Sequence, residues 1–349
     1  MPETSAARRA IRDRPARFLH RLHFYAGLMV GPFLLVAAIS GAFYALAPTV
    51  EKVVYADLLT VDAAPHSVSV GEQVEATAAT SPGSSVAQIW PAHDPGDTTR
   101  VLFDDPSSTD KTLPAAFVDP ATAAVVGEER TYSGLGELPL RRWLSGLHQH
   151  LHLGEPGELY AELAASWLWV LALGGLYLWW RRVSAARRRD PGTRTRLWRS
   201  APAPQGDAGR RRRSLNLHAV LGVWLMVAIL GLSATGLHMG IMFGLPLQLA
   251  LFAAGAGIAV IIVLGYRMWW LRRPTVRGTS VPGLPDSPSW RIVAGVVVFA
   301  ATVGAFLPLL GISLIGFLLL DLVLIGRSRA RRRTVEKQPE PAVLSGGTP

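Results

Sequence analysis

Six apolar blocks, separated by charged and polar segments, limit what this chain can fold into more than any other feature. Half of the residues are hydrophobic and 17% are charged, and a helix needs about 20 apolar residues to cross the hydrocarbon core of a bilayer. The first four blocks reach that length. The last two are short and flank Pro308, so residues 292–326 form either a tight helical hairpin or a broken re-entrant element. The blocks cover residues 24–47, 161–180, 217–237, 247–270, 292–307 and 309–326.

This pattern predicts a mostly α-helical, polytopic transmembrane bundle with four long helices and a C-terminal short helical pair. The lipid bilayer is its first partner. The first block is long and follows a segment that already contains six Arg, so we expect it to remain as a signal anchor rather than to be cleaved.

Basic residues are concentrated in segments that the alternation of spans places on one side of the membrane. Six Arg lie in residues 1–23, twelve in the loop 181–216, and six Lys or Arg in the tail 327–349. Residues 51–162 hold six Lys or Arg against 17 Asp or Glu. By the positive-inside rule, both termini and the loops 181–216 and 271–291 are predicted to be cytoplasmic.

Two further features exclude classes of function. The Arg runs are split among membrane-flanking loops and lack interleaved aromatic side chains, so no nucleic-acid partner is expected. The chain has no Cys, which excludes disulfides, iron–sulfur clusters and thiolate ligands. Any redox cofactor must therefore be held by His, Met, Tyr or carboxylate groups.

The segment 48–143, between the first two long blocks, has the composition of a small extracytoplasmic α+β domain. Residues 68–78 predict a turn leading into a short helix. Short strands are predicted between Pro, Gly and Asp turns at residues 85–89, 100–103, 116–118 and 124–126. A His-rich segment, 144–160, then leads into the second long block.

Two apolar helices begin with the same motif. His23 is followed by Gly27, and His218 by Gly222; a hydroxyl residue and a glycine follow each His seventeen and eighteen residues on. Residues i and i+4 lie on one face of a helix, so each glycine leaves room beside the imidazole for the edge of a flat macrocycle. Two such helices predict a clamp for one haem b.

A second haem would be held nearer the outer side. His148 lies in the His-rich segment, and His238 is the candidate partner at a similar depth. His218 and His238 are twenty residues apart, however, which places them on nearly opposite faces of a straight helix. Both can point inward only if the helix breaks near Gly236.

The segment around His148, His150 and His152 also allows a metal site. In an extended chain, alternation places the three imidazoles on one face, a plausible copper or zinc site. If the segment is helical instead, His148 and His152 share a face and His150 does not. Both arrangements remain open at the level of sequence.

These motifs resemble the PepSY-associated transmembrane family of bacterial membrane proteins. The first helix reads RLHFYAGL at 21–28, the second ends GLYLWW at 175–180, the third begins LHAVLG at 217–222, and the terminal pair contains LPLLGISL at 307–314. The outer domain is similar to a PepSY module, most clearly in FVDPAT at 117–122. At the next position this chain has Ala123, where the module usually has glycine.

The resemblance implies a haem-containing inner-membrane protein, some of whose relatives reduce ferric siderophores. The expected activity is electron transfer outward to a ferric chelate. No dinucleotide-binding glycine motif or flavin motif is present, so the donor would be reduced quinone or a separate cytoplasmic reductase. The alternative is a non-enzymatic, membrane-anchored module in which the PepSY-like domain binds a peptide or partner.

Overall fold

The structure, a computed structural model, describes residues 3–108, 112–132, 136–189, 207–235, 244–271 and 290–336. In these ranges the chain is mostly helical, with one small sheet. The helices are α1 (Glu3–Val54), α2 (Ala56–Leu59), α3 (Val70–Ala76), α4 (Pro139–His150), α5 (Glu155–Arg189), α6 (Asp207–Thr235), α7 (Gly244–Trp270), α8 (Trp290–Gly304) and α9 (Pro308–Glu336). The strands are β1 (Val86–Trp90), β2 (Thr99–Phe103), β3 (Thr112–Val118) and β4 (Val125–Tyr132).

Four of the described helices are long and apolar enough to cross a membrane. They contain the segments Pro15–Val54, Glu155–Ala186, Gly244–Trp270 and Pro308–Arg327. The predicted span 217–237 begins in α6 and ends outside the described residues. The chain is therefore a multi-pass membrane protein of the predicted helical class.

The first helix continues past its predicted end at residue 47 and through Pro48. A proline inside a helix cannot donate a hydrogen bond to the carbonyl four residues earlier. Side-chain contacts hold the next turn in place: the Thr49 hydroxyl donates to the Gln248 side chain at 2.7 Å, and Glu51 pairs with Arg141. The tertiary contacts thus carry the helix to Val54.

Contacts divide the chain into two compact units. The first comprises Met1–Leu34, Leu159–Met226 and Val260–Pro349. Within it, α8 and α9 pack closely where a Cβ atom on Gly311 would lie 2.6 Å from the Cα of Gly304. α8 and α9 therefore form a helical hairpin, but α9 has 29 residues and is not the short element that the sequence predicted.

The second unit comprises Leu35–Glu158 and Val227–Ala259 and contains the sheet. The strands pair antiparallel in the order β1-β2-β3-β4. Side chains alternate on β2 and β3, so both faces are covered: Leu102 and Phe117 pack beside Leu59 of α2, whereas Val101 and Val118 pack beside Val74 of α3. The predicted short helix, α3, therefore covers one face of the sheet, and α2 covers the other.

Strands β3 and β4 are longer than predicted. The register of β2 on β3 ends at the Leu102–Ala115 pair, so β2 does not pair with Pro114. Pro114 is paired only with Arg130 of β4. The absence of an N–H group on Pro114 therefore removes no hydrogen bond to β2. In β4, the charged residues after Gly127 alternate between exposed and partly buried positions.

Candidate functional site

The first unit brings together the two histidines of the repeated motif. His23 of α1 and His218 of α6 lie with their ring centroids 6.3 Å apart and their planes at 88°. If each imidazole bound one metal ion from opposite sides at about 2 Å, the ring centroids would lie roughly 6 Å apart. The separation of these two side chains therefore fits bis-imidazole ligation of a single iron.

A backbone contact fixes the protonation of His218. Its Nδ1 atom lies 2.9 Å from the carbonyl oxygen of Ile261, and because a carbonyl can only accept a hydrogen bond, Nδ1 must carry the proton. In the neutral ring this leaves the lone pair on Nε2. A carbonyl partner of this kind orients most metal-binding histidines and makes the free nitrogen a better ligand.

His23 differs from His218 in its hydrogen bonding. Its Nδ1 atom is buried and makes no hydrogen bond of good geometry in the described residues, although the Leu171 carbonyl lies nearby. A buried polar atom without a partner is costly in an apolar setting. This ring is thus positioned by packing rather than by a strong hydrogen bond.

Glycines make room beside both rings. A Cβ atom on Gly222 would meet no atom within 4 Å, and one on Gly27 would meet only Leu171 at 3.9 Å. This agrees with the predicted space one helical turn from each histidine. A third glycine, which the sequence did not indicate, also lies beside His23. A Cβ atom on Gly175 of α5 would lie 3.2 Å from Cε1 of His23.

In the second unit, His148 of α4 lies against α1. Its Nδ1 atom is 2.7 Å from the Ala37 carbonyl oxygen, so Nδ1 is again the donor and Nε2 is left with the lone pair. A Cβ atom on Gly41 would lie 3.0 Å from this ring. Gly41 belongs to the hydroxyl-glycine pair seen in the sequence, and the contact gives it a role. The predicted partner His238 lies outside the described residues.

The other two histidines of the cluster are arranged differently from both predictions. Helix α4 continues through His150 and ends at Leu151 in a left-handed conformation. His148 therefore faces α1, while His150 and His152 lie together with ring centroids 5.8 Å apart. Within the described ranges, no group of three or more His, Cys, Asp or Glu side chains is positioned to hold a metal ion.

Polar pairs that no sequence motif predicts lie in the same units as these sites. In the first unit, Arg21 binds Asp321. In the second, Glu51 binds Arg141, and the Tyr44 hydroxyl donates to Glu137. Each pair joins residues far apart in the chain, and no short motif signals such a contact.

Similarity to known proteins covers most of the chain. A family model described as PepSY-associated TM region matches residues 20–237 and 235–272. The match includes all the histidines discussed above and most of the chain. A search of curated proteins finds no match.

Proposed function

The chain belongs to the PepSY-associated transmembrane family, and on that premise we propose that it is a haem b protein of the bacterial inner membrane. It passes electrons outward to a ferric chelate such as a ferric siderophore. The observation that carries the proposal is the 6.3 Å separation of the His23 and His218 rings. These two residues hold the first haem.

The residues of the chain prepare this site for electron transfer. The Ile261 carbonyl keeps the proton of His218 on Nδ1, and the open space at Gly222 admits the edge of a macrocycle. Haem supplies a one-electron iron couple when bound. Ligation by two imidazoles leaves no open coordination position, so the site suits electron transfer rather than oxygen activation.

A second haem is proposed at His148. The Ala37 carbonyl sets the same tautomer as in His218, and the contact with Gly41 seats the ring. Its partner in the proposal is His238.

The direction of transfer follows from charge. The Arg-rich segments favour cytoplasmic termini and an extracytoplasmic sheet domain, which supports the proposed direction. The donor is then reduced quinone or a separate cytoplasmic reductase. The acceptor is a ferric chelate at the outer face, where reduction releases iron because chelators with hard oxygen ligands bind Fe(II) weakly.

The first test is a visible spectrum of the purified protein. The reduced protein should show the split bands of low-spin bis-His haem b. His23→Ala and His218→Ala should each remove one haem by pyridine haemochrome assay. His66→Ala, at an exposed position in the outer domain, is the matched control and should retain all haem. Full haem in the His23/His218 double variant would overturn the assignment.

The second test addresses the acceptor. Protein reduced with dithionite should be reoxidised by a ferric siderophore much faster than by its redox-inert gallium analogue, and His148→Ala should slow the reaction. Equal rates with iron and gallium, or a protein without haem, would reject the reductase. The membrane-anchored binding module would then be the better account.

A further inference from the structure

The C-terminal end of α4 holds two histidines for which the proposed electron transfer has no use. We propose that His150 and His152 form a copper site, separate from the haem ligands. Both residues lie in the second unit, as do all the side chains that position them. The proposal rests on four observations about their geometry.

The backbone holds His152 in an unusual conformation. Leu151 and His152 have φ values of 55° and 56°, in the left-handed region that glycine adopts freely and other residues rarely do. Two consecutive residues of this kind persist only where the surrounding structure enforces them, and they cluster at functional sites. Here the turn directs His152 back toward α4.

The ring of His152 is fixed by three contacts on α4. It stacks on Trp143 with centroids 5.6 Å apart and planes at 31°. It covers Gly146 so closely that a Cβ atom there would lie 2.5 Å from Cε1 of His152. Its Nε2 atom lies 3.0 Å from the Trp143 carbonyl oxygen, so Nε2 is the donor and, in the neutral ring, Nδ1 keeps a lone pair.

His150 supplies the second nitrogen. Its Nδ1 atom is buried and has no hydrogen-bond partner in the described part of the chain, an arrangement that costs free energy unless something binds there. For metal–nitrogen bonds of about 2 Å, two imidazole centroids lie roughly 5 to 6 Å apart as the angle at the metal opens from tetrahedral to linear. The observed 5.8 Å falls within this range.

The donor set selects the class of metal. Neutral imidazoles suit copper, zinc and nickel, and among divalent ions copper binds nitrogen sites most tightly. The pair supplies two ligands, and the described residues add no third side chain of a metal-binding type. His152 itself is exposed, so water can complete the coordination on its side of the ion.

Copper binding to the full-length, haem-loaded protein tests the proposal. The protein is purified through a tag without histidine, stripped of loosely bound metal, and titrated with Cu(II) against a competing chelator. One equivalent should bind at this site, and His150→Ala or His152→Ala should each weaken it by at least about tenfold. The EPR spectrum of bound Cu(II) should show nitrogen hyperfine structure that either variant alters.

Matched variants separate the site from its neighbours. His66→Ala should leave copper affinity unchanged, and Gly146→Val, which displaces the His152 ring without removing a ligand, should weaken it. All these variants should keep the haem spectrum of the unmodified protein. Unchanged affinity in both His150→Ala and His152→Ala, or no competitive binding at all, would overturn the site. Tighter binding of Zn(II) than of Cu(II) at the same residues would overturn the assignment to copper.

Discussion

Arg21 and Asp321 form a two-point ion pair between residues 300 positions apart in the chain. Nε of Arg21 donates to Oδ1 of Asp321 at 2.7 Å, and Nη2 donates to Oδ2 at 2.9 Å. The two side chains are only 3% and 2% exposed. An ionisable residue in an apolar membrane helix is expected to have a function or a partner, and here the partner joins α9 to α1.

Removing one member of this pair should destabilise the protein strongly. Asp321→Asn keeps the volume but removes the negative charge that binds the buried Arg21 guanidinium, a change that costs about 3–5 kcal/mol. Thermal unfolding in detergent should show a large fall in Tm. Asp97→Asn, which breaks the more exposed Lys52–Asp97 pair, should cost less than about 1 kcal/mol. Equal shifts in the two variants would contradict the structural role given to Asp321.

Gly222→Leu should prevent haem binding without destabilising the haem-free protein. A Cβ atom at this position meets nothing within 4 Å, so the new side chain enters the open space in which we place the edge of the macrocycle. We expect haem content to fall while the Tm of the haem-free protein stays the same. Gly316→Leu on α9, which also enters open space, serves as the control. Full haem content in Gly222→Leu would show that the macrocycle lies elsewhere.

The charge asymmetry predicts the topology. Reporter fusions at Gly96, in the sheet domain, should give the signal of an extracytoplasmic site, and fusions at Gly206 the signal of a cytoplasmic one. The reason is the concentration of Arg in the loop 181–216. The opposite pattern would reverse the direction of electron transfer and remove the outward reductase.

Ala123→Gly should stabilise the turn between β3 and β4. Ala123 has a φ of 58°, and an alanine in this left-handed conformation costs roughly 1–2 kcal/mol. Glycine avoids that cost, but it also raises the conformational entropy of the unfolded chain, which cancels part of the gain. Hydrogen exchange in residues 118–126 should slow by the equivalent of about 0.5–1 kcal/mol. Ala124→Gly, at a position without positive φ, should speed exchange. Faster exchange in Ala123→Gly would mean that the methyl group contributes more by packing than it costs in strain.

The sequence predicted those parts of the fold that depend on local pattern. Apolar length located the helices, and the His23–Gly27 and His218–Gly222 spacings follow from a single helical turn. The alanine at 123 was noticed as a departure from the usual glycine, and the structure gives it the left-handed backbone that glycine would favour.

Contacts between distant residues could not be predicted in this way. Nothing in the pattern pairs Arg21 with Asp321, or places Gly175 beside His23, because such contacts depend on how helices pack. The separation of His148 from the His150–His152 pair was not predicted, for another reason. Leu151 and His152 are both left-handed, so the chain there follows neither the helical nor the extended spacing on which the predictions were based.

Each haem-ligand candidate in the described residues lies against a glycine of a different helix: His23 near Gly175, His218 near Gly265 and His148 near Gly41. Each histidine and the glycine beside it should therefore be conserved together in evolution, since a larger side chain at the glycine would displace the imidazole ring. A relative that has lost one histidine no longer needs the matching glycine, and a bulky residue there would mark lost cofactor binding in an otherwise unchanged helix.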